Sequence, residues 1–135
     1  MRILAIDLGG KRTGLAICDE NHTIVSPLTV LPTNGAMIDE IVRVVKDNQV
    51  GEIVVGLPLN MDGTEGVAAK KSRDFAEELG GLIDLPIHFH DERLSSFSAE
   101  KHIAGIGLTH KKKKKILDAI AAAEILQAFI DSQKE

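Results

Sequence analysis

RILAIDLGGKRTGLAICD, residues 2–19, decides the fold. Residues 2–8 alternate and are rich in Ile and Leu, which reads as a β-strand. Gly9-Gly10-Lys11-Arg12 is a turn, and residues 13–19 return as a second strand. A tight turn at Glu20-Asn21-His22 leads into a third strand over residues 23–31, ending near Pro32. Three strands joined by short turns make an antiparallel meander. Asp7 stands out within it, because an acid at the end of an apolar strand needs a cation, a donor or a metal.

Beyond the meander the period changes. Met37, Ile38, Ile41, Val42 and Val45 have helical spacing, which predicts a helix over residues 35–48. Residues 52–57 are a continuous apolar run, the mark of a buried central strand. Residues 58–66 are a loop rich in Pro, Asn, Asp and Gly. Ala68, Ser72, Phe75, Ala76 and Leu79 mark a second helix, closed by Gly80-Gly81. Residues 86–90 form a short strand. Ser95 or Ser96 can cap a helix running through His102, and Gly105-Ile106-Gly107 is a break. A long final helix starts within the Lys run. The order βββαβαβαα predicts an α/β fold with a five-stranded mixed sheet, an antiparallel meander plus two parallel strands, flanked by helices. Residues 1–135 are expected to form a single domain.

Composition removes several classes. Apolar residues make up 44% of the 135, which indicates a globular chain. Aromatics are 3%, with no Trp or Tyr, which argues against a nucleic-acid binder built on stacking platforms. A net charge of −4 does not announce a nucleic-acid partner, although local clusters still can. Cys18 is alone, so an internal disulfide and a Cys-rich zinc site are excluded, and a small core residue is expected there. The amino-terminal stretch turns acidic too soon for a signal peptide, and no apolar run approaches a membrane span. A soluble cytoplasmic protein with no membrane partner is expected.

Four constellations carry chemistry. Asp7 leads into a Gly-rich turn whose backbone can approach phosphate, with Lys11 and Arg12 supplying charge; a polar hairpin turn has the same composition. The loop after the central strand holds Asn60 and Thr64, both able to donate to a phosphate, in a position where open α/β sheets bind ligands. A plain βα connection is the alternative. His90-Asp91-Glu92-Arg93 ends the last strand, where adjacent acids point to opposite faces, and Glu92 is taken as the inward one. His88 and His90 read individually as parts of a charged strand end. Lys111, Lys112, Lys113, Lys114 and Lys115 immediately precede Asp118 and either clamp phosphate or are simply solvated. On a helical wheel Asp118 falls between Ile125 and Phe129 and near Ala122, so it should point at the core. Acids converging from distant segments suggest a divalent-metal site.

Taken together, AIDLGGKRTGLAICD, IVVGLPLNMDGTEG, DERLSSFSAE and ILDAIAAAEILQAFI resemble the YqgF/RuvX family, the Holliday-junction-resolvase-like nucleases of ribonuclease H-like fold. The resemblance spans nearly the whole chain, with the motifs in order and at the right spacing. It implies a bacterial cytoplasmic phosphodiesterase associated with maturation of the 5′ end of the small-subunit ribosomal RNA precursor. It also puts Asp7, Glu92 and Asp118 in the acidic site. Two features depart from the pattern. Ser95-Ser96 replaces the more usual threonine pair. The central strand ends in Gly56-Leu57-Pro58, where well-studied resolvases of the wider fold place an acid, so Glu92 has to supply it.

The expectation is therefore a metal-dependent nuclease. Carboxylate and water ligands suit Mg2+ or Mn2+. Asp7 would bridge two ions, and Glu92 and Asp118 would complete one each. Lys11, Arg12, Asn60, Thr64, Arg93 and the Lys run would grip phosphates without reading sequence. The partner is nucleic acid, either precursor ribosomal RNA or branched DNA, acted on by a monomer or homodimer. Two rivals are a non-catalytic RNA-binding or ribosome-assembly module of the same fold and a nucleotide-binding actin-like lobe. The latter would need a second lobe to enclose its nucleotide.

Overall fold

Alternation makes the strands and also divides the faces of the sheet they form. A computed structural model describes residues 1–92 and 110–134. The helix expected after Ser95-Ser96, the break at Gly105-Gly107 and Arg93 lie outside the described residues. The strands are β1 (Arg2–Asp7), β2 (Arg12–Cys18), β3 (Val25–Pro32), β4 (Val50–Leu57) and β5 (Ile87–Asp91). The helices are α1 (Met37–Asp47), α2 (Val67–Gly80) and α3 (His110–Gln133). The sheet order is β3-β2-β1-β4-β5. Pairing is antiparallel from β1 to β2 and β2 to β3, and parallel from β1 to β4 and β4 to β5, as expected.

β3 starts two residues later than the apolar pattern suggests. The reason is Asp19, whose carboxylate takes the Thr23 and Ile24 amides at 2.7 and 2.9 Å and the Thr23 hydroxyl at 2.6 Å. Those bonds commit Thr23 and Ile24 to a turn, and they pull the Asp19 carboxyl down to about 2.

Successive side chains of a strand leave opposite faces. Leu4, Ile6, Leu15, Ile53 and Val55 pack on Ile41 and Val45 of α1 and Phe75, Ala76 and Leu79 of α2. Ile3, Ala5, Ala16, Cys18 and Val54 pack on Ala122, Ile125, Leu126, Phe129 and Ile130 of α3. Cys18 is a core residue, as expected, and its Sγ accepts the Ile3 amide at 3.3 Å.

α3 crosses its face of the sheet obliquely. Ile116 and Ala119 lie beside β3, the Asp118 carbonyl sits on Gly14 of β2, Ile125 reaches Gly56 of β4, and the Phe129 ring lies 5.2 Å from His88 of β5. Gly14 makes that approach possible. A Cβ there would collide with the Asp118 carbonyl, and backbone cannot swing aside as a side-chain tip can. Among the described residues, no helix is long and apolar enough to cross a membrane.

Candidate active site

β1, β4 and β5 run in the same direction, so their carboxyl ends share one edge of the sheet. Asp7 closes β1 on the face covered by α3, two residues beyond Ala5. In β5, Asp91 stands opposite Leu57, and the next residue, Glu92, returns to the α3 face. The side chains of Asp7 and Glu92 meet there in a hydrogen bond. Glu92 is thus the acid that turns towards Asp7, and Asp91 belongs to the other face.

Gly56 explains how Glu92 reaches that place. A Cβ on Gly56 would run into the Glu92 carboxylate and come within 2.7 Å of Ile125 Cδ1. The missing side chain on β4 leaves a volume that the carboxyl from β5 fills. The strand end that lacks an acid of its own is therefore the reason an acid from the neighbouring strand fits.

Burial dominates the electrostatics of the pair. Loss of water raises the Asp7 pKa, the hydrogen bond from Glu92 opposes that rise, and the Asp118 charge adds to it. Glu92 is pushed up to about 9, first by burial and then by the bond to Asp7 and the charges of Asp7 and Asp91. The bond lowers one partner and raises the other, so the two carboxyls hold one proton between them. A single proton between two half-buried carboxyls is the state that a divalent cation can replace.

Asp118 approaches from α3. It is not fully buried, as the wheel suggested, but keeps 28% of its side chain exposed, because it lies at the edge of the packed stretch of the helix. Its partner is distant in sequence. Arg12 Nε donates to Asp118 Oδ2 at 2.6 Å from the first residue of β2. Asp7 feels the Asp118 charge, but Asp118 itself is engaged with Arg12. Among the described residues, no group of three His, Cys, Asp or Glu side chains is arranged to hold an ion. The donor set still fits a hard divalent ion: carboxylate oxygens, two of them competing for one proton and a third close enough to raise the pKa of the first.

The remaining expected residues divide clearly. Lys11 is exposed in the turn after Asp7. That turn is pinned by Thr33, whose amide donates to the Lys11 carbonyl at 3.0 Å and whose hydroxyl donates to the Gly9 carbonyl at 2.9 Å. Asn60 and Thr64 serve their own loop. Asn60 Nδ2 donates to Thr64 Oγ1 at 3.0 Å, and the Thr64 hydroxyl donates to Asp62 at 2.6 Å. The side chains of Lys111, Lys112, Lys113, Lys114 and Lys115 lie outside the described residues, although their backbone is helical. His88 stands 2.6 Å from Glu52, away from the acids, which suits a structural residue. His90 Nε2 is enclosed and has no hydrogen-bond partner among the described residues, and burial lowers the His90 pKa against the pull of Asp91.

Thr33 and Lys71 contribute without having stood out in the sequence, and Gly56 stood out there only for the acid that its strand end lacks, not for the space that Glu92 fills. Lys71 lines a pocket of about 310 Å³ with Leu8, Gly9, Gly10, Val67 and Ala68, beside the turn that follows Asp7. Glycines inside strands signal close approach and could have pointed to Gly56. Thr33 and Lys71 carried no such signal, because both look like ordinary loop and helix-surface residues.

The whole architecture is that of the resolvases with a ribonuclease H-like fold. RuvC of T. thermophilus in complex with Holliday junction substrate superimposes with a TM-score of 0.65, covering 99% of this chain and 96% of that one at 15% identity. The chain belongs to the RuvX family of nucleases, whose model, described as Holliday junction resolvase, matches residues 1–132. Relatives include proteins named "Putative pre-16S rRNA nuclease" from two bacteria. That of Maridesulfovibrio salexigens is 42% identical over 96% of this chain and 98% of its own length. That of Anaeromyxobacter sp. (strain K) is 44% identical over 97% of each.

Proposed function

We propose that this protein hydrolyses phosphodiester bonds in precursor small-subunit ribosomal RNA, with Asp7, Glu92 and Asp118 as the acidic centre and Mg2+ or Mn2+ as its cofactor. The hydrogen-bonded Asp7–Glu92 pair carries this reading, because two half-buried carboxyls forced to share a proton are unfavourable without a cation. Asp7 would be the ligand common to the set, since Glu92 hydrogen-bonds to it and the charge of Asp118 acts on it. Bound divalent ions would supply an activated water and neutralise charge on the leaving oxygen.

The chain's own groups do the rest. Loss of the Glu92 proton turns the pair into a doubly charged acceptor. Lys11 and Arg12, beside the turn after Asp7, attract the phosphates that flank the cut bond without reading bases. Lys111, Lys112, Lys113, Lys114, Lys115 and Arg93 extend that grip along the strand. Asn60 and Thr64 are assigned to shaping the loop next to the site, given the bonds they make within it. The relatives' names favour precursor ribosomal RNA, and the family description keeps branched DNA as the competing substrate. We place the protein in the bacterial cytoplasm, as one unit spanning residues 1–135.

The test is to incubate end-labelled precursor RNA and four-way DNA junctions with the protein, in Mn2+ and in chelator. Cleavage of the RNA near its mature 5′ end, abolished by chelator and by Asp7→Asn, is expected. Junction cleavage without RNA cleavage would move the substrate to DNA. Binding of either with no metal-dependent cleavage would overturn the catalytic reading.

A further inference from the structure

We infer that Arg12 is an exchangeable counter-ion. It pairs with Asp118 in the free protein and leaves it for a phosphate of the bound nucleic acid, so that substrate binding completes the metal site. The inference rests on the acidic centre proposed above and concerns how that centre is assembled.

Three observations carry it. First, the acids are not assembled alike. Asp7 and Glu92 are already joined, whereas Asp118 is held at 2.6 Å by Arg12. Second, the Arg12–Asp118 pair can exchange partners cheaply. The two side chains are 36% and 28% exposed, so the guanidinium can turn to solvent without opening the core. Third, Arg12 opens β2 directly after the exposed turn residues Gly10 and Lys11, where an incoming phosphate would arrive. A guanidinium binds phosphate as well as carboxylate, through the same planar fork of donors.

The charge balance gives the direction. A carboxylate already neutralised by Arg12 is a poorer metal ligand than a bare one. Drawing Arg12 towards phosphate restores the Asp118 charge beside Asp7. By linkage, whatever nucleic acid does for metal affinity through Arg12, metal does equally for nucleic-acid affinity. Arg12 is thus a positioning residue that couples the two ligands.

Calorimetric titration of Mn2+ into the full chain tests this, alone and with a short phosphorothioate RNA hairpin as a non-cleavable probe. Without RNA, Arg12→Gln should bind Mn2+ roughly three- to fivefold more tightly than wild type, the scale of a partly exposed ion pair. That gain should vanish in Arg12→Gln combined with Asp118→Asn. In wild type, RNA should tighten Mn2+ binding more than it does in Arg12→Gln, and Arg12→Lys should fall between the two. In chelator, Arg12→Gln should bind the hairpin more weakly, with a salt slope smaller by about one.

Equal or weaker Mn2+ binding by a folded Arg12→Gln would overturn the inference, since Arg12 would then merely orient Asp118. Mn2+ binding that ignores Asp118→Asn would overturn it as well, while leaving a metal site at Asp7 and Glu92. If wild type takes up no Mn2+ with or without the hairpin, the proposed acidic centre falls and the exchange falls with it.

Discussion

The two faces of the sheet solve different problems with the same five strands. On the α1 and α2 face, Leu4, Ile6, Ile53 and Val55 meet Ile41, Phe75 and Leu79 in an apolar core. On the α3 face the strands present Ala5, Gly14, Ala16 and Gly56 to a helix that itself offers Ala119 and Ala122. Small residues on both sides bring α3 close to the sheet. The same closeness brings Asp118 to Arg12, while Gly56 gives the Glu92 carboxyl its space beside Asp7. One face maximises buried volume. The other gives up side-chain volume at chosen points to admit carboxyls, and burial there pushes the Glu92 carboxyl to about 9.

Cutting each face separately should break the comparison most sharply. Leu79→Ala, at a fully buried position, should cost about 2–5 kcal/mol in denaturant unfolding. At a temperature where the variant stays folded, cleavage per molecule should be unchanged. Asp7→Asn should do the reverse. Metal-dependent cleavage should fall by more than the roughly 10- to 100-fold that losing an outer partner of a metal ligand costs. The metal-free protein should melt at or above the wild-type temperature at pH 8, because a crowded, half-buried carboxylate is gone. A loss of activity in Asp7→Asn that merely tracked unfolding would erase the distinction between the faces.

Substitution at the two close-approach glycines sharpens it. Gly14→Ala meets backbone, so α3 must move, and a cost of about 1–3 kcal/mol or more is expected. Gly56→Ala meets only the tips of Glu92 and Ile125, which can rotate away. It should cost less, yet it should detach Glu92 from Asp7. The check is thermal melting alongside Mn2+ titration: Gly56→Ala should lose more metal affinity per unit of stability lost than Gly14→Ala.

The Asp7–Glu92 pair sets a pH dependence confined to the α3 face. Glu92 goes from an ordinary 4.5 in the unfolded chain to about 9 in the fold. Between those values the folded state holds a proton that the unfolded chain has lost, so stability falls as pH rises. Melting of the metal-free protein should therefore drop from pH 5 to pH 9. Glu92→Gln should flatten that slope and leave stability at pH 5 nearly unchanged. Mn2+ should do the opposite of protons, binding more tightly as pH rises through the same window.

The sheet was legible because its strands differ in chemistry. The meander shows in the alternation of residues 2–19, and the central strand shows in an unbroken apolar run that only a doubly covered strand tolerates. The site was half legible. Asp7 was visible as an acid in the wrong place; the two-residue period split Asp91 and Glu92 between the faces, and the family resemblance, not the period, pointed to Glu92. The partner of Asp118 was not visible, since Arg12 lies 106 residues away and only the crossing of α3 over β2 brings them together. Nor was the use of Gly56. A glycine at a strand end looks like an ordinary turn residue until the neighbouring strand's carboxyl occupies its missing side chain.

The smallest effect separates two accounts of Asp118. The helical wheel places it with Ile125 and Phe129, and a carboxylate buried there would depend on its partner, at a loss of roughly 3 kcal/mol when the pair is broken. The structure instead leaves both partners about one-third exposed, where water screens the charges and can replace either one. Asp118→Asn also keeps an acceptor oxygen for Arg12. The metal-free variant should therefore lie within about 1 kcal/mol of wild type in denaturant unfolding, while its Mn2+ titration shows fewer or weaker sites. A loss near the larger figure would mean that the contact holds α3 to β2, and it would move Asp118 from the chemistry of the α3 face to its packing. Unchanged stability with unchanged Mn2+ binding would reduce the acidic centre to Asp7 and Glu92. Only a stable variant with impaired Mn2+ binding keeps all three acids in one site.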